Sequence, residues 1–153
     1  MVTTAYEDAS FATNKKTRKS HSVFLSFVNE APTWFSKRQL TVETSTFSAE
    51  CISMKSCLNA IDTLRFKLRM FGVPFEGPIH VYRDNKRAVL NFIKVEYNVD
   101  KNHNSVVYHF ICNAVAASIL SVAWIDGKEN LADTFTKHLL APTRKYLFGN
   151  WMY

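Results

Sequence analysis

Four carboxylates stand in short contexts spread along the chain. They are Asp8 in Glu7-Asp8-Ala9-Ser10, Glu50 in Ser45-Thr46-Phe47-Ser48-Ala49-Glu50, Asp84 in Tyr82-Arg83-Asp84-Asn85, and Asp133 in Leu131-Ala132-Asp133-Thr134-Phe135-Thr136-Lys137. Each falls at the end of an expected strand or in the first turn of an expected helix. Strand ends meet helix starts at the rim of an open sheet, where such sheets place their sites. Four carboxylates brought to one spot make a hard, all-oxygen site for two Mg2+ ions, with Mn2+ able to substitute. Two such ions, ~3.5–4 Å apart, suit in-line attack of water on a phosphodiester: one activates the water and the other stabilises the leaving oxygen.

Each acid also has a purely structural reading. Asp8 can close a turn on its own backbone. Glu50 can sit in the first turn of a helix, where the dipole favours a negative charge. Asp84 can cap the helix that follows it. Asp133 lies three residues after Asn130, close to a capping-box arrangement.

The elements that must carry these acids follow from periodicity. Residues 2–8, 22–28 and 33–39 read as strands, the second rich in residues that suit a pleated sheet and the third set off by Pro32. Between the first two, Asn14-Lys15-Lys16-Thr17-Arg18-Lys19 reads as a basic hairpin loop. Residues 46–71 form the clearest helix, with Met54, Leu58, Ile61, Leu64, Leu68 and Phe71 in one apolar stripe, a Ser45 or Thr46 cap, and Gly72 and Pro74 as stops. Strands at 79–84 and 119–125 and helices at 85–94, 105–117 and 130–140 complete the pattern. The fold class is α/β. Opening hairpins imply three antiparallel N-terminal strands, and later strand-helix alternation implies parallel ones, giving a mixed five-stranded sheet flanked by helices.

With 153 residues, 47% apolar and 21% charged, the chain is one soluble domain with room for a core. Its net charge of +6 favours an anionic partner. Cys51, Cys57 and Cys112 show no metal-type spacing, and Cys51 and Cys57 are expected on different sides of their helix. An odd count without a secretory segment points to a reducing compartment. With no spanning apolar window, the expected location is cytoplasmic or nuclear, with no membrane partner.

In this order, the four contexts resemble the RNase H domain that ends the polyprotein of copia-type retrotransposons, from about Tyr6 to about Lys145. The resemblance implies an RNase H-like domain over residues 1–145 with a tail at 146–153. It implies cleavage of the RNA strand of an RNA–DNA hybrid during reverse transcription, beside a reverse transcriptase domain encoded upstream, by a monomer. Asp8 and Asp84 become the central metal ligands, Glu50 contacts one ion directly or through a ribose hydroxyl, and Asp133 holds the other. The 2′-hydroxyl marks the RNA strand. Lys15, Lys16, Arg18, Lys19, Lys37 and Arg38 are the candidates for holding the hybrid's backbone, though the loop can equally be a solvated tip. Trp34-Phe35-Ser36-Lys37-Arg38-Gln39 matches a strand of the family, and its aromatics are expected in the core. His103 and His109 match a histidine-bearing segment and are expected to pack or touch phosphate rather than catalyse.

The match departs from the family at three places. Arg83 replaces a small residue, often Cys, before the second aspartate. Strand alternation turns it away from Asp84, where a buried charge is costly unless paired. Thr13 and Ser118 stand where glycines are expected. The chain begins seven residues before Asp8 without the usual polymerase, which suggests a separated fragment or a derived small gene. The rival function is an inactive binding module, a retroelement remnant that holds nucleic acid or protein on the same fold. A DNA transposase or resolvase is disfavoured by Leu-Ala-Asp-x-Phe-Thr-Lys.

Overall fold

The computed structural model describes residues 1–94 and 105–149. His103 lies outside the described residues. Five strands form one sheet in the order β3-β2-β1-β4-β5. The strands are β1 (Thr3–Ser10), β2 (His21–Val28), β3 (Ala31–Arg38), β4 (Ile79–Arg83) and β5 (Leu120–Trp124). β1, β2 and β3 pair antiparallel, whereas β4 pairs parallel with β1 and β5 parallel with β4. The helices are α1 (Thr46–Met70), α2 (Lys86–Ile93), α3 (Ser105–Ala116), α4 (Asp133–Thr136) and α5 (Ala141–Phe148). The mixed sheet expected from the sequence is the one observed.

Strand alternation divides the molecule into two cores. Ala5 of β1, Phe24 of β2, Ile79 and Val81 of β4, and Leu120 and Val122 of β5 pack with α1, α2 and α3. On the opposite face Tyr6, Leu25 and Phe27 pack with Leu131, Leu139 and Leu147. Because side chains alternate along a strand, Glu7 must share the face of Ala5, and Asp8 that of Tyr6. By the same rule Arg83 goes with Val81, and Asp84 with Tyr82.

Several expectations change in detail. The α1 stripe is buried only as far as Ile61. Beyond it Leu64 and Leu68 are half-buried and Phe71 is exposed, because the helix outruns the sheet it covers. Cys51 and Cys57 both lie in the main core, since the helix is covered widely enough at its N-terminal half to bury both directions. Pro32 does not precede β3 but sits inside it, which an edge strand tolerates because a missing N–H there faces solvent. Trp34, expected in the core, is 68% exposed on that edge, while its neighbour Phe35 stacks on Phe24 with ring centroids 5.0 Å apart. The single helix expected at 130–140 is one turn, α4, followed by α5. The buried Asn130 accepts the Ala132 N–H and donates to the Glu7 carbonyl, so it fixes the chain before α4. α5 runs past residue 145, and its Leu147 is buried in the second core.

Turn chemistry agrees with the departure at Ser118 but not with the one at Thr13. Ser118 adopts φ +55°, the left-handed conformation for which glycine is suited. Near Thr13 the left-handed residue is Ala12, at φ +49°.

Candidate metal centre

Parallel pairing of β1 with β4 brings their C-terminal ends side by side, and Tyr6 opposes Tyr82 in the register. Asp8 and Asp84 follow those residues by two on the same face. α4 then delivers Asp133. One carboxylate oxygen from each of Asp8, Asp84 and Asp133 lies within 4.8 Å of the others.

The structural alternatives for these acids are taken by other groups. Asn85, not Asp84, caps α2, accepting from the Arg87 and Ala88 N–H groups. Ser45 caps α1, which leaves Glu50 beyond the first turn and out of reach of the dipole argument. Asp8 lies within β1 rather than at its end, and its Oδ2 accepts from the Thr136 hydroxyl at 2.6 Å. Asp133 does not close a capping box. Its Oδ2 meets Lys137 Nζ at 2.6 Å, one helical turn on.

Lys137 also stands 3.6 Å from Asp84 Oδ2, so its ammonium bridges two of the three aspartates. Burial alone would lower its pKa, but the hydrogen bond and charge of Asp133 raise it overall. The Asp133 carboxyl is raised by burial, against the pull of Lys137. Its Oδ1 is buried and has no hydrogen-bond partner among the described residues. An unpartnered buried carboxylate oxygen beside two further carboxylates is a donor set that fits a hard divalent cation. Mg2+ keeps several waters and needs few protein ligands, so three carboxylates suffice.

Glu50 is placed differently. It is buried beside the cluster but is not one of its three members. Its Oε1 accepts from Asn85 Nδ2 at 2.7 Å, and its Oε2 lies 3.6 Å from the Arg83 guanidinium. Burial raises its pKa, with Arg83 and Asn85 opposing. Arg83, 2% exposed, brings the same nitrogen, Nη2, to 3.4 Å from Glu7 Oε2 and lies over the Phe92 ring. Glu7 is fully buried, and desolvation pushes its carboxyl up to about 7 although Arg83 pulls it down.

The basic candidates divide into two groups. Lys37 and Arg38 pair with Ser22 and His21 at the same end of the sheet as the aspartates. They line an open groove of about 460 Å³ with Lys55 and Gln39. Gln39 fixes its wall by donating to the Ser22 hydroxyl and the Ala49 carbonyl. Lys15, Lys16 and Arg18 are exposed and Lys19 half-buried in a loop closed by Asn14, which accepts from the Lys16 and Thr17 N–H groups. His109 is exposed, with its ring edge against Tyr108.

Thr136, Lys137, Asn85 and Glu7 have no assigned role in the sequence reading. The spacing of Lys137 four residues after Asp133 is a helical ion-pair signal that finds one of them. A second opening, lined by Glu50, Asp84, Asn85, Lys86, Arg87 and Trp124, adjoins the cluster, and there Lys86 sits 4.0 Å over the Trp124 ring.

No family model matches the chain. Over 136 residues it is 29% identical to the retrovirus-related Pol polyprotein from transposon RE1 of Arabidopsis thaliana, covering 88% of this chain and 9% of that protein. Over 142 residues it is 32% identical to the corresponding polyprotein from transposon TNT 1-94 of Nicotiana tabacum, covering 92% and 10%. The chain thus spans about a tenth of the length of these relatives. Among solved structures it resembles LC11-RNase H1 in complex with an RNA/DNA hybrid, with a TM-score of 0.62, 16% identity, and coverage of 87% of this chain and 92% of that one. The fold is RNase H-like. Among the described residues no helix is long and apolar enough to cross a membrane.

Proposed function

We propose that this chain, an RNase H-like domain related to copia-type Pol polyproteins, hydrolyses the RNA strand of an RNA–DNA hybrid with divalent cations held at its aspartates. One observation carries this: Asp8, Asp84 and Asp133 converge where β1 and β4 end, with a buried Asp133 oxygen that has no partner among the described residues. Mg2+ bound there would supply an activated water and neutralise the leaving oxygen.

The chain's own residues do the rest. Asp8, Asp84 and Asp133 provide the anionic oxygens. Thr136 orients Asp8 through its hydroxyl, and Lys137 places one positive charge against Asp84 and Asp133. Glu50 faces the adjoining opening, where it can meet a ribose hydroxyl, the group that marks RNA. Lys37 and Arg38 share the aspartates' end of the sheet and supply positive charge for backbone phosphates. The Pol relationship supports a partner reverse transcriptase and a role in removing RNA during reverse transcription.

The test is cleavage of an RNA–DNA hybrid in Mg2+ or Mn2+ by the native protein and by Asp84→Asn. Because Asn85 provides the helix cap, Asp84→Asn removes a charge and its ion pair with the half-exposed Lys137 but leaves the cap of α2 in place. Cleavage falls by at least a thousandfold while hybrid binding persists. A folded native protein that binds hybrid and does not cut it is a binding module instead.

A further inference from the structure

Glu50 stands apart from the three aspartates, and both its oxygens are engaged. Asn85 Nδ2 donates to Oε1 at 2.7 Å and Arg83 faces Oε2 at 3.6 Å. Arg83 itself is not free to move. Its guanidinium is buried between Glu50 and Glu7 and lies 5.5 Å from the centre of the Phe92 ring. Glu7 is the neighbour that the β1–β4 register puts beside Arg83, one residue beyond the Tyr6–Tyr82 pair and on the same face. A fully buried carboxylate needs a cation, and a buried guanidinium needs an anion. Glu7 and Glu50 both approach the same nitrogen, Arg83 Nη2, so the guanidinium bridges the two carboxylates.

We infer that Arg83, anchored by Glu7, is a positioning residue that holds Glu50 outside the aspartate cluster, so that the resting centre offers three carboxylates rather than four. Freeing Glu50 from Arg83 lets it join Asp8, Asp84 and Asp133 and strengthens cation binding, since affinity for a hard cation grows with the number of charged oxygens. The inference rests on the cluster being a cation site, but it does not require cleavage.

The experiment is calorimetric titration of Mn2+ into the folded protein without nucleic acid. Arg83→Met alone strands Glu7 and endangers the fold, so the informative variant is Glu7→Leu with Arg83→Met. It removes one charge of each sign, keeps the net charge, and replaces a buried ion pair by apolar groups of similar size, an exchange that is often neutral or stabilising. Its melting temperature is the control for folding. The double variant binds Mn2+ roughly tenfold tighter than the native protein. Adding Glu50→Gln to it abolishes that gain, whereas Glu50→Gln in the native protein changes affinity less than twofold. The inference is overturned by unchanged affinity in the double variant, by a gain that survives Glu50→Gln, by a large loss on Glu50→Gln alone, or by no Mn2+ binding in any variant. Hybrid cleavage, measured separately, reports on the enzymatic proposal and not on this one.

Discussion

On β1 Glu7 and Asp8 are consecutive, and at the end of β4 so are Arg83 and Asp84, yet one residue of sequence separates two kinds of electrostatics. Glu7 and Arg83 point into the main core, are almost wholly buried, and neutralise each other at 3.4 Å. Asp8 and Asp84 point to the other face and remain half-buried. There they gather Asp133 and meet the ammonium of Lys137, whose side chain is 51% exposed. The inner cluster has its compensating charge built in, because a partner of each sign stands on adjacent strands. The outer cluster holds a compensating charge on a long, half-exposed side chain that a cation can displace. A sealed pair serves position, whereas an accessible set of like charges serves binding.

That contrast predicts different costs of disturbance. Removing the inner cation with Arg83→Met leaves Glu7 buried without its partner and destabilises the fold by about 3–5 kcal/mol at pH 8. Chemical denaturation measures it. A loss no larger than that of an exposed arginine would show the inner pair to be ordinary surface electrostatics.

Acidity separates the two clusters next. Glu7 has a folded pKa of about 7 against an ordinary value of 4.5. A raised carboxyl contributes stability that is fully present below the unfolded pKa and lost as pH climbs through the folded one. Between pH 4.5 and pH 8 this takes away on the order of 3 kcal/mol. Burial raises Glu50 and Asp133 in the same direction, so they act with the same sign. Melting followed from pH 5 to pH 8 therefore shows a decline, and Glu7→Gln flattens most of it. An unflattened decline would place its origin in the outer cluster.

The smallest effect concerns Lys137. Replacing it by Met removes the competing ammonium while keeping most of the stem. Mg2+ or Mn2+ then binds roughly fivefold tighter, the scale of a partly exposed ion pair. Weaker binding in that variant would mean that Lys137 supports the acid cluster rather than standing in for a cation.

Much of this was legible in the sequence. The fold followed from three early strand patterns, one long apolar stripe and later alternation. The four acidic contexts identified the elements that carry the acids, although Asp8 lies within β1 and Glu50 beyond the first turn of α1. What the sequence withheld was pairing. Arg83 read as a buried charge in need of a partner, but its partner Glu7 became visible only through the parallel register of β1 and β4. Glu50 read as contacting one ion directly or through a ribose hydroxyl, and nothing local shows that Asn85 and Arg83 face its oxygens. Trp34 read as core because aromatic content does not reveal that β3 is an edge strand. The short α4 was hidden because Leu131, Phe135 and Leu139 keep helical spacing, whereas Asn130 fixes the backbone through long-range bonds.

The central claim is that Asp8, Asp84 and Asp133 form a divalent cation site. Anomalous scattering from crystals soaked in Mn2+ tests it most directly. The expected result is an anomalous peak within coordinating distance of all three carboxylates, with Lys137 swung away from Asp133. A cluster without a peak at saturating Mn2+, with Lys137 still bridging Asp84 and Asp133, would contradict it.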